Sequence, residues 1–262
     1  PEYFSEFMAK RLNCPVGERQ TEVAKWEDLI ACEKPIDFSV LKGKKCIGGL
    51  DFAETSDFVV CGLLFKLGSE YVFYHHTFVC RKCNDLVGIK APLDEWEQMG
   101  MLEYVDDVTV SGKIIAQWFN DRIYDGFDII KIVADKFRFK EVNSAFKKIG
   151  FDYYENDNIK IARPSDLMIA SPIINSLFLR HRLIWGESKI KGINNIMAWY
   201  TNNVRKVMKN GNAHFEKQEE HYRKTDGFMA FANTVTCIEL LDEENIVLDD
   251  NMKKLMETLV FN

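Results

Sequence analysis

Three apolar segments in close succession constrain the fold of this chain most strongly. Cys46–Leu50 runs apolar into Asp51, and Phe58–Phe65 and Tyr71–Tyr74 follow with a turn at Gly68 between them. Apolar runs of this length, bounded by glycine and polar residues, are typical of β-strands. We therefore predict one strand followed by an antiparallel meander.

Helical and strand patterns alternate after the meander. The predicted elements are two helices with apolar spacing, a buried strand, a helix beginning at a Ser-Pro pair, a β-hairpin around Asn-Gly and a final apolar helix. In order, they lie at Leu93–Met99, Ile114–Ile123, Ile129–Ala134, Ser171-Pro172, Val204–Lys217 and from Asp226 onward. Strands first, then strands alternating with helices, predict an α/β fold with a mixed sheet.

Composition excludes several other classes of protein. The 262 residues are 47% hydrophobic, yet no apolar run is long enough to span a membrane, and the N-terminus lacks the form of a signal peptide. Seven scattered cysteines fit reduced thiols in a cytoplasm better than a disulfide scaffold. The first residue is not Met, as expected for a piece of a longer protein.

The chain divides into three predicted regions. Residues 1–44 are expected to be an N-terminal linker or extension, residues 45–241 the main domain, and residues 242–262 an acidic C-terminal tail.

Charge is distributed unevenly along the chain. Residues 129–225 carry 18 Lys and Arg against 10 Asp and Glu, although the whole chain has a formal charge of -6. A positive segment between negative ones can form a surface that binds a polyanion, because phosphate binding depends on the local field. A solvated surface of uneven sign is an equally good interpretation of this pattern.

Three aspartates occupy conspicuous positions in the predicted elements. Asp51 ends the first strand, Asp135 ends the later buried strand, and Asp226 opens the last helix. Binding sites in open α/β sheets form beyond the ends of strands, so these carboxylates are expected to converge. A turn at Asp51 and a helix cap at Asp226 are alternative explanations of those two residues.

A cluster of three carboxylates suits a divalent cation. Without one, the like charges would raise the pKa values of the group. Mg²⁺ or Mn²⁺ prefers oxygen ligands of this kind, and two ions about 4 Å apart can activate a water and stabilise the leaving oxygen of a phosphodiester. The pattern therefore predicts a metal-dependent nuclease, with Asp57 as a further candidate ligand.

Two other groups of residues have more than one interpretation. Lys224, two residues before Asp226, could contact the scissile phosphate or could simply be exposed to solvent. His75 and His76 precede Cys80 and Cys83, which have the spacing of zinc ligands, but no second well-spaced pair accompanies them. The chain contains neither a phosphate-binding Gly-x-x-x-x-Gly-Lys-Ser/Thr loop nor a Gly-x-Ser-x-Gly motif.

Four motifs together resemble a known family. In chain order they are Gly49–Asp57, Ile132–Asp135, Gly211-Asn212 within the predicted hairpin, and Lys224–Ala230. Their order and spacing are similar to those of the C-terminal nuclease half of the large terminase subunits of tailed bacteriophages. The resemblance covers about residues 46–241, and the Lys224–Ala230 motif is the most specific part of it.

This resemblance carries several implications. It implies a ribonuclease H-like mixed sheet flanked by helices, with an added β-hairpin. It also implies an endonuclease that cuts concatemeric viral DNA during packaging, with Asp51, Asp135 and Asp226 binding two Mg²⁺ or Mn²⁺ ions. The hairpin would lie beside double-stranded DNA and contribute basic side chains, which are Arg205, Lys206, Lys209 and Lys217.

The implied partners are the terminase ATPase half, the small terminase and the portal protein, in the host cytoplasm and with no membrane. Two other functions stay open at this point: a non-catalytic packaging module that docks on the portal, and a resolvase-like strand-transfer enzyme.

Overall fold

A computed structural model describes residues 20–52, 58–82, 86, 88–107, 109–136, 139–209, 212–217 and 223–242. Asp57, Cys83 and most of the predicted acidic tail lie outside the described residues.

The strands are β1 (Gln20–Glu22), β2 (Lys45–Phe52), β3 (Phe58–Leu67), β4 (Glu70–Cys80), β5 (Leu102–Val105), β6 (Asp128–Ala134), β7 (Ile159–Ile161), β8 (Leu183–Ile184), β9 (Val204–Lys209) and β10 (Asn212–Lys217). The helices are α1 (Trp26–Ile30), α2 (Leu93–Gln98), α3 (Gly112–Tyr124), α4 (Phe139–Phe146), α5 (Pro164–Leu179), α6 (Ile196–Asn202) and α7 (Asp226–Val235), with short 3₁₀ turns at Lys147–Ile149 and Ile238–Leu241.

The main sheet is mixed. In the described part of the chain it has seven strands, in the order β5-β4-β3-β2-β6-β7, with β8 paired to β4. Strands β2, β3 and β4 form an antiparallel meander, whereas β6 is parallel to β2 and β7 is parallel to β6. The predicted α/β fold, the meander and the buried strand that pairs with β2 are confirmed.

Both faces of the sheet are covered. Alternate residues of β3 point to opposite faces, and Val60 belongs to one hydrophobic core while Cys61 belongs to the other. The first core includes helices α5, α6 and α7, and the second includes α3 and α4. Because both faces are buried, the central strands are almost continuously apolar rather than alternating.

Helix α7 packs unusually close to β2. A Cβ atom on Gly49 would lie 2.2 Å from the backbone oxygen of Ala230, so only glycine permits this approach. One turn further along α7, Asn233 Nδ2 donates a hydrogen bond to the backbone oxygen of Leu50 at 3.0 Å. These contacts fix α7 against the strand that carries Asp51.

The predicted hairpin is confirmed as β9 and β10, which pair antiparallel from Val204–Lys217 to Lys209–Asn212. The edge strand β1 adds to β9 and makes a separate three-stranded sheet. Residues 20–44 belong to the predicted extension, yet Leu29 and Cys32 are buried in the first core and Leu41 in the second. The domain boundaries at 44 and 241 stay predictions.

The predicted start of the helix at Ser171 is wrong. Helix α5 begins seven residues earlier, at Pro164, and continues through Pro172. Pro164 occupies a position in the first turn where its missing N–H costs nothing, and Asp166 Oδ2 accepts a hydrogen bond from the backbone N–H of Arg163 at 2.9 Å. Ser171 lies buried in the middle of the helix.

Candidate functional site

The three aspartates predicted from the sequence meet at one edge of the main sheet. Leu50 in β2 is the register partner of Ala134 in β6, so Asp51, the last but one residue of β2, and Asp135, the residue just after β6, lie side by side. Asp226 is the first residue of α7, which packs on β2. The parallel pairing and the packing of α7 therefore bring the three carboxylates to the same edge.

The electrostatics of these residues support this convergence. The pKa of Asp51 is raised well above its usual value, first by burial and then by the negative charges of Asp226 and Asp135. The pKa of Asp226, which is only 7% exposed, is also raised by burial, although backbone hydrogen bonds and the charges of Lys224 and Lys217 oppose that rise. The charges of Asp226 and Asp135 therefore both act on Asp51.

The donor set fits a hard divalent cation, because it consists of carboxylate oxygens whose mutual repulsion a cation would relieve. Within the described residues, however, no group of three or more His, Cys, Asp or Glu side chains is placed so that it could hold a metal ion. Asp57, the further candidate ligand, is outside those residues.

Lys224 is buried rather than exposed. It is 5% exposed, its Nζ lies 5.6 Å from the centre of the Phe58 ring, and its backbone oxygen accepts a hydrogen bond from Asn203 Nδ2 at 2.8 Å. Burial lowers the pKa of Lys224, while the charge of Asp226 raises it. The alternative that Lys224 is a solvent-exposed side chain is therefore wrong.

Two residues that pack near Asp226, Tyr200 and Gly227, are not marked individually as site residues by any sequence pattern, although Gly227 lies within the Lys224–Ala230 motif. Tyr200 is fully buried, and its hydroxyl lies 3.3 Å from Thr77 Oγ1. Burial and the negative charges of Asp226 and Asp51 raise the pKa of Tyr200. The Tyr200 hydroxyl is therefore close enough to the two carboxylates to be affected by their charges. Gly227 packs closely on the same ring: a Cβ atom at this position would lie only 2.2 Å from Tyr200 Cδ2.

The basic side chains of the hairpin lie on two different faces. Phe215 is opposite Lys206, and Lys217 is two residues further along β10, so these three share one face. The Phe215 ring packs on Phe228 of α7 at 4.9 Å, and the charge of Lys217 acts on Asp226. This face of the hairpin therefore turns toward the carboxylates.

Arg205 and Lys209 lie on the other face of the hairpin and make local contacts. Lys209 Nζ forms an ion pair with Glu216 Oε1 at 2.6 Å. Arg205 Nη1 donates to the backbone oxygens of Asn202 and Val204.

The histidines and cysteines considered for zinc do not converge among the described residues. His75 lies on the face of β4 that carries Phe73, and its Nε2 is 3.2 Å from Asn195 Oδ1. Burial lowers the pKa of His75 to about 3. Cys80 belongs to the core on the opposite face of the sheet.

Removal of one carboxylate is expected to stabilise the metal-free protein at neutral pH. Folding raises the pKa of Asp51 and of Asp226 above the value of about 4 that an unfolded Asp has. Above pH 4 the folded state therefore binds more protons, and the contribution of this pair to the free energy of unfolding falls as pH rises. In EDTA, Asp226→Asn should raise the Tm at pH 8, by about 2–4 °C for each kcal/mol gained.

The difference in Tm between Asp226→Asn and the unsubstituted protein should shrink toward pH 4, where the carboxylates are protonated. Thermal unfolding followed by circular dichroism between pH 4 and 8 measures it. A constant difference at all pH values, or a lower Tm for the variant at pH 8, would contradict the proposed repulsion.

Comparison with known proteins identifies the class of fold. Neither a family model nor a curated protein matches the chain. The mixed sheet with helices on both faces is similar in fold to solved structures of bacteriophage large terminases. The resemblance inferred from the four motifs is thus confirmed as a likeness of fold.

Two solved structures illustrate that likeness. The crystal structure of the HK97 bacteriophage large terminase has a TM-score of 0.70 and 18% identity, over 90% of this chain and 47% of that one. The large terminase nuclease from thermophilic phage G20c has a TM-score of 0.52 and 11% identity, over 81% of this chain and 96% of that one. The chain thus spans about half the length of the HK97 protein.

The same G20c nuclease is also known with bound magnesium, with a TM-score of 0.50 and 10% identity over 82% of this chain and 96% of that one. None of the described helices combines the length and hydropathy needed to cross a membrane.

Proposed function

We propose that this chain is the nuclease domain of a large terminase subunit and a metal-dependent DNA endonuclease. It would cut concatemeric viral DNA during genome packaging, in the host cytoplasm. The observation that carries the proposal is the meeting of Asp51, Asp135 and Asp226 at one sheet edge, in a fold shared with terminase nucleases.

Asp51, Asp135 and Asp226 would hold two Mg²⁺ or Mn²⁺ ions, with Asp57 as a further ligand. Bound magnesium in the G20c nuclease supports this choice of ion. Divalent ions in such a cluster supply a nucleophile at neutral pH and neutralise charge that develops on a phosphodiester.

The protein's own residues orient this chemistry. Strands β2 and β6 hold Asp51 and Asp135 in fixed register, and the contacts of Gly227 with Tyr200 position Asp226 at the start of α7. The charge of buried Lys224 opposes the rise that burial causes in the pKa of Asp226, and so favours the charged form of that carboxyl. Lys224 is therefore proposed to act on DNA through its charge at the site rather than as a surface contact.

Little sequence specificity is expected. Contacts from lysine and arginine side chains to phosphates position DNA but carry no base information. Double-stranded DNA is the proposed substrate, and the terminase ATPase half, the small terminase and the portal protein are the proposed partners.

Cleavage of supercoiled plasmid tests the proposed function. The protein should convert it to nicked and linear forms with Mn²⁺ or Mg²⁺, and EDTA should stop the reaction. No cleavage with either ion, together with capture by portal protein, would instead identify a docking module. A strong preference for branched over linear duplex would favour a strand-transfer enzyme.

The two faces of the hairpin are expected to contribute unequally to DNA binding. The double variant Lys206→Ala/Lys217→Ala removes the charges that face the carboxylates, so its affinity for duplex DNA should fall about tenfold. The slope of log affinity against log salt concentration should become shallower by about 2, because two phosphate contacts are lost. The matched variant Arg205→Ala/Lys209→Ala removes equal charge from the other face and should change affinity less than about threefold.

Fluorescence anisotropy with a labelled duplex at several salt concentrations measures both effects. Equal losses from the two double variants would show that the orientation of the hairpin plays no part in binding.

A further inference from the structure

Helix α5 carries an apolar stripe on its outer surface. No charged residue occurs between Leu167 and Leu179. Ile169 is 74% exposed, Ile173 is 37% exposed and Leu179 is 61% exposed, whereas the inner face of the same helix is buried in the first core. Several exposed apolar side chains grouped on the outer side of one helix are typical of an interaction surface.

The described chain ends close to one end of this helix. Asp242, the last described residue, forms an ion pair with Lys66, which is the register partner of Tyr71. The backbone N–H of Tyr71 donates to the backbone oxygen of Arg182 at 2.7 Å, and Arg182 is three residues beyond the end of α5. Asp242 is therefore connected, through Lys66 and Tyr71, to the segment just after the C-terminal end of α5.

The sequence of residues 243–262 complements the surface of α5 in two ways. Its apolar residues recur at intervals of three and four, at Met252, Leu255, Met256 and Leu259. Its first two residues, Glu243 and Glu244, are acidic, and the residues just after α5 include exposed Arg180 and Arg182.

The length of this segment is also sufficient. Ile169 and Leu179 are ten residues apart on α5, which is about 15 Å along a helix. The nine residues 243–251 can span up to about 30 Å when extended. The apolar residues from 252 onward can therefore reach any part of the stripe.

We propose that residues 243–262 dock on α5 of the same chain. The acidic start of the segment lies against Arg180 and Arg182, and the apolar residues cover Ile169, Ile173 and Leu179. The segment runs antiparallel to α5, from its C-terminal end toward its N-terminal end. This inference does not depend on cleavage activity, because none of its residues belongs to the carboxylate cluster.

Hydrogen exchange of the whole chain, read by mass spectrometry at two protein concentrations, tests the docking. Peptides from residues 248–261 should exchange about tenfold or more slowly than the same peptides in isolation, because docked amides are protected. The double variant Ile169→Glu/Leu179→Glu should abolish that protection. The control variant Tyr124→Glu/Tyr154→Glu, at exposed aromatic residues elsewhere on the surface, should leave it intact.

Three outcomes would overturn the proposal. The first is exchange at the isolated-peptide rate in the unsubstituted chain. The second is protection that survives Ile169→Glu/Leu179→Glu while circular dichroism shows an intact fold. The third is protection only at the higher concentration with a dimer in sedimentation, which would make a second copy the occupant of the stripe.

Discussion

Asp51→Asn is expected to reduce Mn²⁺-dependent plasmid cleavage by about a thousandfold or more, which corresponds to roughly 4 kcal/mol of transition-state stabilisation. Asp51 is affected by both of the other carboxylates, since the charges of Asp226 and Asp135 raise its pKa. The amide has nearly the same shape but lacks the charge that would hold a divalent ion. Asp226→Asn is expected to have an effect of the same size, and neither change should unfold the protein.

Asp128→Asn is the matched control for these variants. Asp128 is exposed at the beginning of β6, the strand that Asp135 follows, and therefore lies at the opposite edge of the sheet. Its cleavage rate should stay within about twofold of the unsubstituted protein, in line with the small effect of most surface substitutions. Full activity in Asp51→Asn and Asp226→Asn would refute the proposed nuclease site.

Gly49→Ala is expected to destabilise the protein by about 3 kcal/mol or more, near or above the upper end of the usual cost of overpacking. The new Cβ would lie 2.2 Å from the backbone oxygen of Ala230, and backbone atoms cannot rotate away as a side chain can. Relief requires α7 to move off β2. Because Asp226 begins that helix, cleavage by the folded fraction should fall as well.

Gly48→Ala provides a control at the adjacent residue of the same strand. There the Cβ would lie 2.9 Å from side-chain atoms of Ile132 and Phe119, which can shift, and it points to the opposite face of the sheet. Urea unfolding should show a smaller loss for Gly48→Ala, with cleavage retained. Unchanged stability and cleavage in Gly49→Ala would contradict the close packing of α7.

The sequence allowed β2, β3, β4 and β6 of the main sheet, as well as the hairpin, to be predicted because their signals are local, whereas the short strands β5, β7 and β8 were not predicted. Apolar runs mark β2, β3 and β6, and the Asn-Gly pair marks the turn between β9 and β10. The convergence of Asp51 and Asp135 was also predictable, since carboxyl ends of parallel strands meet at one edge.

Other features depend on contacts between distant parts of the chain. The burial of Lys224 requires Phe58 and Asn203, which no pattern near Lys224 indicates. The close contact of Gly227 with Tyr200 is likewise set by the packing of α7 on α6. The sequence pattern predicts the wrong start for α5 because Pro164 and Pro172 are both plausible prolines for the first turn of a helix. Tertiary packing decides between the two positions.

Anomalous diffraction from crystals grown with Mn²⁺ is the decisive experiment for the proposed metal site. We expect two manganese peaks about 4 Å apart, each bonded to oxygens of Asp51, Asp135 or Asp226. Manganese bound elsewhere in the molecule, or carboxylates of these three residues held more than about 10 Å apart in the presence of saturating Mn²⁺, would contradict it.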